Sequence, residues 1–155
     1  YYPKNSGRPF NPNDKYTSKY LDVPNEPLYP FGYGIGYSEI TYSDLSLDRN
    51  EISFGDSLQV SVTIENNGEY ATEEIVQLYT RDLVGSVTRP VKELKDFQKV
   101  PIAPGEQKTV TFSLSAGDLR FYDIDMEFVA EPGDFEVMTG PNSSDLLTAR
   151  FTLVE

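Results

Sequence analysis

Twenty-five aspartates and glutamates, set against no histidine and no cysteine, define the chemistry this chain can attempt. Without His there is no imidazole base and no Ser-His-Asp relay, and the commonest metal ligand is missing. Without Cys there is no thiol nucleophile, no disulfide and no sulfur-ligated metal, and the redox compartment stays open. Carboxylate chemistry remains, because glycoside hydrolysis needs only two acids about 5–9.5 Å apart. The acids here fall mostly in turns (Asp48, Glu51, Glu106, Asp118, Asp145) or on the polar face of strands (Glu74, Glu136), where charge is ordinarily solvated, and they are read as surface groups. Asp123, Asp125 and Glu127 could offer oxygen to Ca²⁺, but the dense spacing and the glycine of a calcium loop are missing, so a solvated edge or turn is expected. Gly32-Tyr33-Gly34-Ile35-Gly36 resembles half of a nucleotide glycine motif. No strand precedes it and no helical pattern follows, so it is read as a tight bend where backbone or rings pass closely. Asn142-Ser143-Ser144 matches a glycosylation acceptor, meaningful only in a eukaryotic secretory setting. No catalytic residue, metal site or cofactor is expected.

The elements that would position any such group are strands. From Ile40 onward the apolar period is two: Ile40 and Tyr42, Leu45 and Leu47, then Leu58, Val60, Val62 and Ile64 alternate with polar neighbours. Asn66-Asn67-Gly68 is a turn signal in which Asn and Gly can take positive φ, and a new strand follows through Ile75–Tyr79. Further strands are predicted around 94–100, 108–114, 128–130, 134–138 and 147–153, separated by Pro101, Pro104-Gly105, Gly117, Pro132-Gly133 and Gly140-Pro141. About seven short strands, with no helical period and neither Trp nor a Cys pair, predict an all-β sandwich of immunoglobulin-like architecture without the antibody hallmarks.

Residues 1–38 differ. They carry Pro3, Pro9, Pro12, Pro24, Pro27 and Pro30, which forbid regular helix or central strand, and much of the chain's tyrosine. A disordered linker would be poor in aromatics, so this extended lead-in is expected to lie against a protein surface, with residues 39–155 forming the sandwich. A length of 155 residues suits one domain plus a tail. The net charge of −12 repels nucleic acid and anionic lipid, so neither is an expected partner. A chain opening at Tyr1 rather than Met is expected to have been trimmed.

Several ordered blocks carry a resemblance. Tyr29-Pro30-Phe31-Gly32-Tyr33-Gly34-Ile35-Gly36-Tyr37-Ser38 resembles the YPFGYGLSYT motif that joins the second catalytic domain of family 3 glycoside hydrolases to their C-terminal fibronectin type III-like domain. Tyr1-Tyr2 with Gly7-Arg8-Pro9, Lys15 to Tyr20, Glu65 to Gly68 with Val76 to Tyr79, and Arg89 to Phe97 resemble further blocks of that family in the same order. Pro104-Gly105-Glu106 and Glu131 to Val137 complete the set. The resemblance implies a non-catalytic accessory domain of a retaining β-glucosidase that hydrolyses terminal β-D-glucosidic bonds in carbohydrate metabolism. It also implies a periplasmic or secreted location. The family's nucleophilic Asp sits in an SDW-type motif and its acid Glu in the following domain, so no catalytic residue carries over to this chain, which has no Trp. The implied partners are the catalytic domains of the same polypeptide.

On that reading Tyr29, Phe31, Tyr33 and Tyr37 are candidate interdomain anchors, expected to pin the lead-in to the sandwich because rings beside permissive glycines pack closely. Tyr1, Tyr2, Arg8, Phe10, Tyr16 and Tyr20 are candidates for an orphaned interface, less buried and shaped for absent domains. The alternative is a carbohydrate-binding sandwich, with Tyr70, Tyr79 and Tyr122 as candidate stacking rings; carbohydrate contact is expected to be weak or absent.

Overall fold

The computed structural model describes Asn13 and residues 26–155. Among the described residues the first strand opens at Ile40, and Glu26–Glu39 contains none. Strands β1 (Ile40–Leu47), β3 (Ser57–Asn66) and β6 (Gln107–Ser115) form one antiparallel sheet in the order β1-β3-β6. The facing sheet runs β2-β10-β9-β4-β5, from β2 (Glu51–Ser53), β4 (Thr72–Asp82), β5 (Glu93–Ile102), β9 (Gly133–Gly140) and β10 (Leu147–Val154). A 3-10 turn, Ala116–Leu119, leads into a small hairpin of β7 (Phe121–Tyr122) and β8 (Phe128–Val129). This is the all-β sandwich that the spacing predicts.

The core follows from the alternation. In β3 and β6 every second side chain faces the other sheet, so Leu58, Val60, Val62 and Ile64 meet Val110, Phe112 and Leu114, with Val76, Leu78, Phe135, Val137, Phe151 and Leu153 opposite. Each such side chain taken from water contributes about 1.5–3 kcal/mol. Leu47 ends β1 on the three-stranded sheet, and four residues later Glu51 opens β2, which pairs in parallel with β10 on the other. Asp48 carries this crossing: its backbone N donates to Gln59 O at 3.1 Å and its carboxylate accepts Gln59 N at 2.8 Å. That second bond is the main reason its carboxyl sits below the usual range.

One turn expectation is corrected. Neither Asn66 nor Asn67 nor Gly68 takes positive φ. Gly68 is required by proximity instead, since a Cβ there would come 2.8 Å from Ser38 Cα. Asn66 is fully buried, and its amide donates to Tyr70 O at 2.8 Å and Ile102 O at 3.2 Å while accepting Gly68 N at 3.0 Å. Gly105 has the φ of +70° that suits a type II turn, whereas Gly133 simply opens β9. Arg89-Pro90 lies in the loop before β5 opens at Glu93.

One strand breaks its period. Val76 to Thr80 are five consecutive buried residues, so β4 is covered on both faces although only one faces the core.

Candidate interdomain face

What lies over the outer side of β4 is the lead-in. Pro30 O accepts Tyr33 N at 3.0 Å and Gly32 has φ +79°, which makes residues 30–33 a type II turn whose third position needs glycine. The turn presents two carbonyls to the sandwich. Phe31 O accepts Ser143 N at 2.9 Å, and Gly32 O accepts the Gln77 side-chain amide at 3.3 Å.

Gln77 is the hub. Buried on β4, it also donates to Pro141 O at 2.5 Å and accepts the hydroxyl of Tyr79, two residues along on the same outer face. Burial pushes the Tyr79 hydroxyl above its usual range and keeps it a donor. Lys92 donates to Ser143 O at 2.6 Å, and burial, with Arg81 nearby, lowers its ammonium from the ordinary lysine value. A second tie lies at the end of the lead-in, where Asn67 N donates to Glu39 O at 2.8 Å and Ser38 Oγ to Tyr70 O at 2.5 Å.

The expectation that four rings bury themselves against the sandwich is therefore corrected: main-chain carbonyls hold the segment, and the rings turn outward. Tyr29 and Phe31 are each 65% exposed and Tyr37 is 94% exposed, while Tyr33 is 47% exposed with its ring centroid 5.2 Å from that of Tyr29. Close approach at Gly32 leaves no room for a side chain beneath the turn, which directs its rings to the far side. Leu28, Ile35 and, on the neighbouring strand across from Gln77, Phe97 add to this outward apolar surface. Tyr1, Tyr2, Arg8, Phe10, Tyr16 and Tyr20 lie outside the described residues. Nothing in the sequence marks Gln77, Lys92, Pro141 and Ser143 as the seat of the lead-in, apart from a lone glutamine inside the apolar run Ile75–Tyr79.

Several of the carboxylates are committed to structure. Tyr42 donates to Glu74 at 2.7 Å, Glu136 accepts Arg81 at 3.4 Å and Arg150 at 2.9 Å, and Asp118 accepts Ser115 N at 2.7 Å. Burial first, then the bond to Glu74, drives the Tyr42 hydroxyl well above its usual range. Glu106 accepts Ala103 N at 2.8 Å, which holds its carboxyl low. Among the described residues no group of three or more Asp or Glu is arranged to hold a metal ion. Asn142, of the glycosylation pattern, turns its side-chain oxygen onto the backbone N–H groups of Ser144 and Asp145.

Asp82, at the end of β4, is the carboxylate that burial disfavours, and its pKa is raised despite the nearby Arg89 charge. A raised folded pKa means that ionised Asp82 destabilises the native state above that pKa, with relief as pH falls through it. Asp82→Asn keeps the acceptor for Val84 N, 3.1 Å away. It should stabilise the chain at neutral pH by less than about 1 kcal/mol, since the site is partly solvated. The gain should vanish below about pH 4. Urea midpoints at both pH values check this, and a loss of stability at pH 7 would count against it.

Comparison with known proteins places these residues. A fibronectin type III-like domain profile matches residues 74–143. A periplasmic beta-glucosidase of Salmonella typhimurium is 41% identical over 152 residues, covering 97% of this chain but 20% of the relative. A putative beta-xylosidase of Formosa agariphila is 44% identical over 138 residues, 89% of this chain and 18% of the relative. The crystal structure of a beta-glucosidase from Listeria innocua in complex with glucose superimposes with a TM-score of 0.89 at 45% identity, over 97% of this chain and 21% of that one. The chain thus spans about a fifth of the length of the relatives it matches.

Proposed function

We propose that this chain, which belongs to the fibronectin type III-like domains of family 3 glycoside hydrolases, braces the catalytic domains of a longer β-glucosidase while taking no part in the chemistry. One observation carries the bracing role. Tyr29, Phe31, Tyr33 and Tyr37 sit on a backbone pinned to the sandwich yet direct their rings away from it. Rings of this size expose an apolar area that a monomer ordinarily covers, and interdomain faces are where such area is covered. The four residues are interdomain anchors in that sense: their grip is on the neighbouring domain. The segment upstream, with Tyr1, Tyr2, Arg8, Phe10, Tyr16 and Tyr20, would continue the same interface.

The parent would hydrolyse terminal β-D-glucosidic bonds by the retaining two-carboxylate route, with both carboxylates outside this chain. A periplasmic or secreted setting fits the periplasmic relative. The residues 39–155 would act as one rigid body and 1–38 as its interdomain lead-in. Of the three rings the carbohydrate-binding reading offers, Tyr79 is buried and hydrogen-bonded rather than available for stacking, while Tyr70 and Tyr122 are exposed, Tyr122 beside Phe128 on the hairpin.

Assayed alone with an aryl β-glucoside, the chain should show no turnover above a heat-killed control, while the full polypeptide encoded by the same gene turns over. Turnover by the isolated chain would overturn the accessory reading.

A further inference from the structure

A second set of exposed apolar groups lies at the opposite end of the sandwich from the lead-in's junction with β1. The hairpin β7–β8 follows Ser115, which pairs with Ser57 at the end of β3 remote from Asn66. Strands of two residues are marginal alone, and this pair is braced from below. The Arg89 guanidinium lies 4.1 Å from the centroid of the buried Phe121 ring and pairs with Glu93 at 2.8 Å. Glu131 accepts Ser86 N at 3.0 Å, tying the loop that carries Arg89 to the hairpin's base.

The tip is equally ordered. One Asp123 carboxylate oxygen accepts the N–H groups of Asp125 and Glu127, each at 2.9 Å, and Asp123 N donates to Glu127 O at 3.0 Å. Met126 is held at φ +63°, a conformation that costs a residue with a long side chain about 1 kcal/mol or more. On this rigid tip Ile124 and Met126 are 83% and 73% exposed, above the exposed rings of Tyr122 and Phe128, whose centroids are 5.0 Å apart. Asp123, Asp125 and Glu127 alternate with the apolar residues.

We propose that this hairpin is a second contact on the catalytic portion of the same polypeptide, seated in an apolar recess with a basic rim. The inference rests on the reading of the chain as an accessory domain. Two observations select the occupant. Relatives are about five times as long as this chain, so most of the surface available for contact within one polypeptide lies beyond these residues. A second copy of this domain, by contrast, carries the same net charge of −12, and would meet three tip carboxylates with more negative charge. With the lead-in as its sole attachment the domain could turn about that tether; a contact at the far end removes the rotation.

The two methionines make the test internal to the protein. Met138 is buried in the sandwich and Met126 is exposed on the hairpin. Brief hydroxyl-radical treatment of the full-length parent, which oxidises both methionine and tyrosine where solvent reaches them, read by mass spectrometry, should oxidise Met126 as slowly as Met138, with Tyr37 protected as well, at every enzyme concentration. Ile124→Asp in the full-length parent should abolish the protection of Met126 and leave that of Tyr37. Tyr37 protected with Met126 freely oxidised overturns the hairpin contact and leaves the accessory reading standing. Both freely oxidised overturns the accessory reading itself. Protection of Met126 that grows with enzyme concentration, tracked by light scattering, overturns the proposal in favour of a second copy.

Discussion

Gly140→Val should destabilise the chain by about 4 kcal/mol or more, which for a domain of this size lowers the melting temperature by about 8–16 °C. Gly140 ends β9 opposite Gln77, and the loop after it folds back so tightly that an added Cβ would collide with the carbonyl oxygen of Asp145, with Asp145 C at 3.1 Å and Leu146 Cα at 3.2 Å. These are main-chain atoms, so no rotamer change relieves the overlap and the loop itself must move. That loop supplies Pro141 O to Gln77 and Ser143 to both Phe31 and Lys92. The substitution therefore strikes the sheet and the seat of the lead-in together. Thermal unfolding followed by near-ultraviolet circular dichroism measures it; a shift under about 3 °C would show that the loop yields easily and that this account of Gly140 is wrong.

Gly32→Val should release the lead-in while leaving the sandwich folded. At φ +79° a β-branched residue costs about 1–2 kcal/mol, and its Cβ would occupy the space of the Gln77 amide. Displacing that amide breaks its bonds to Gly32 O and Pro141 O and its acceptance of the Tyr79 hydroxyl, each worth about 1 kcal/mol, although Gln77 can recover some of this by shifting. A local loss of about 3 kcal/mol corresponds to about a hundredfold change in the opening equilibrium. The reporter is the Ser143 amide, whose acceptor is Phe31 O. Its hydrogen exchange should accelerate about a hundredfold, while the amides of Val60 and Val62 in β3 keep their protection. Unchanged exchange at Ser143 would mean that the turn at Gly32 does not hold the segment.

Much of the fold was legible because it follows from two-residue periodicity. Leu58, Val60, Val62 and Ile64 announce β3, and the strands after it fall close to the predicted spans. The misses have physical causes. β2 is three residues long with Ile52 as its one fully buried side chain, too short to show a period, and its parallel pairing with β10 is set by the crossing at Asp48. Gly68 looked like a residue chosen for its φ, whereas it is chosen for the absence of a side chain beside Ser38, a contact 30 positions away in sequence that no local pattern encodes. The Tyr29–Tyr37 motif was legible as a place of attachment, but not which atoms attach. Aromatic rings advertise burial in a sequence, while the carbonyls of Phe31 and Gly32, which do the holding, are present in every residue and advertise nothing.

Because the clasp between lead-in and sandwich is made by main chain on the lead-in's side, its geometry is largely indifferent to which side chains the outward positions carry. Tyr29, Phe31, Tyr33 and Tyr37 can drift or be redesigned to suit a different neighbour so long as Gly32 keeps its turn and Gln77 its amide. The module thereby separates the hinge from the handshake. If the exposed rings meet a neighbouring domain as proposed, a graft onto a different scaffold would need new rings on that face and no change to the sandwich beneath.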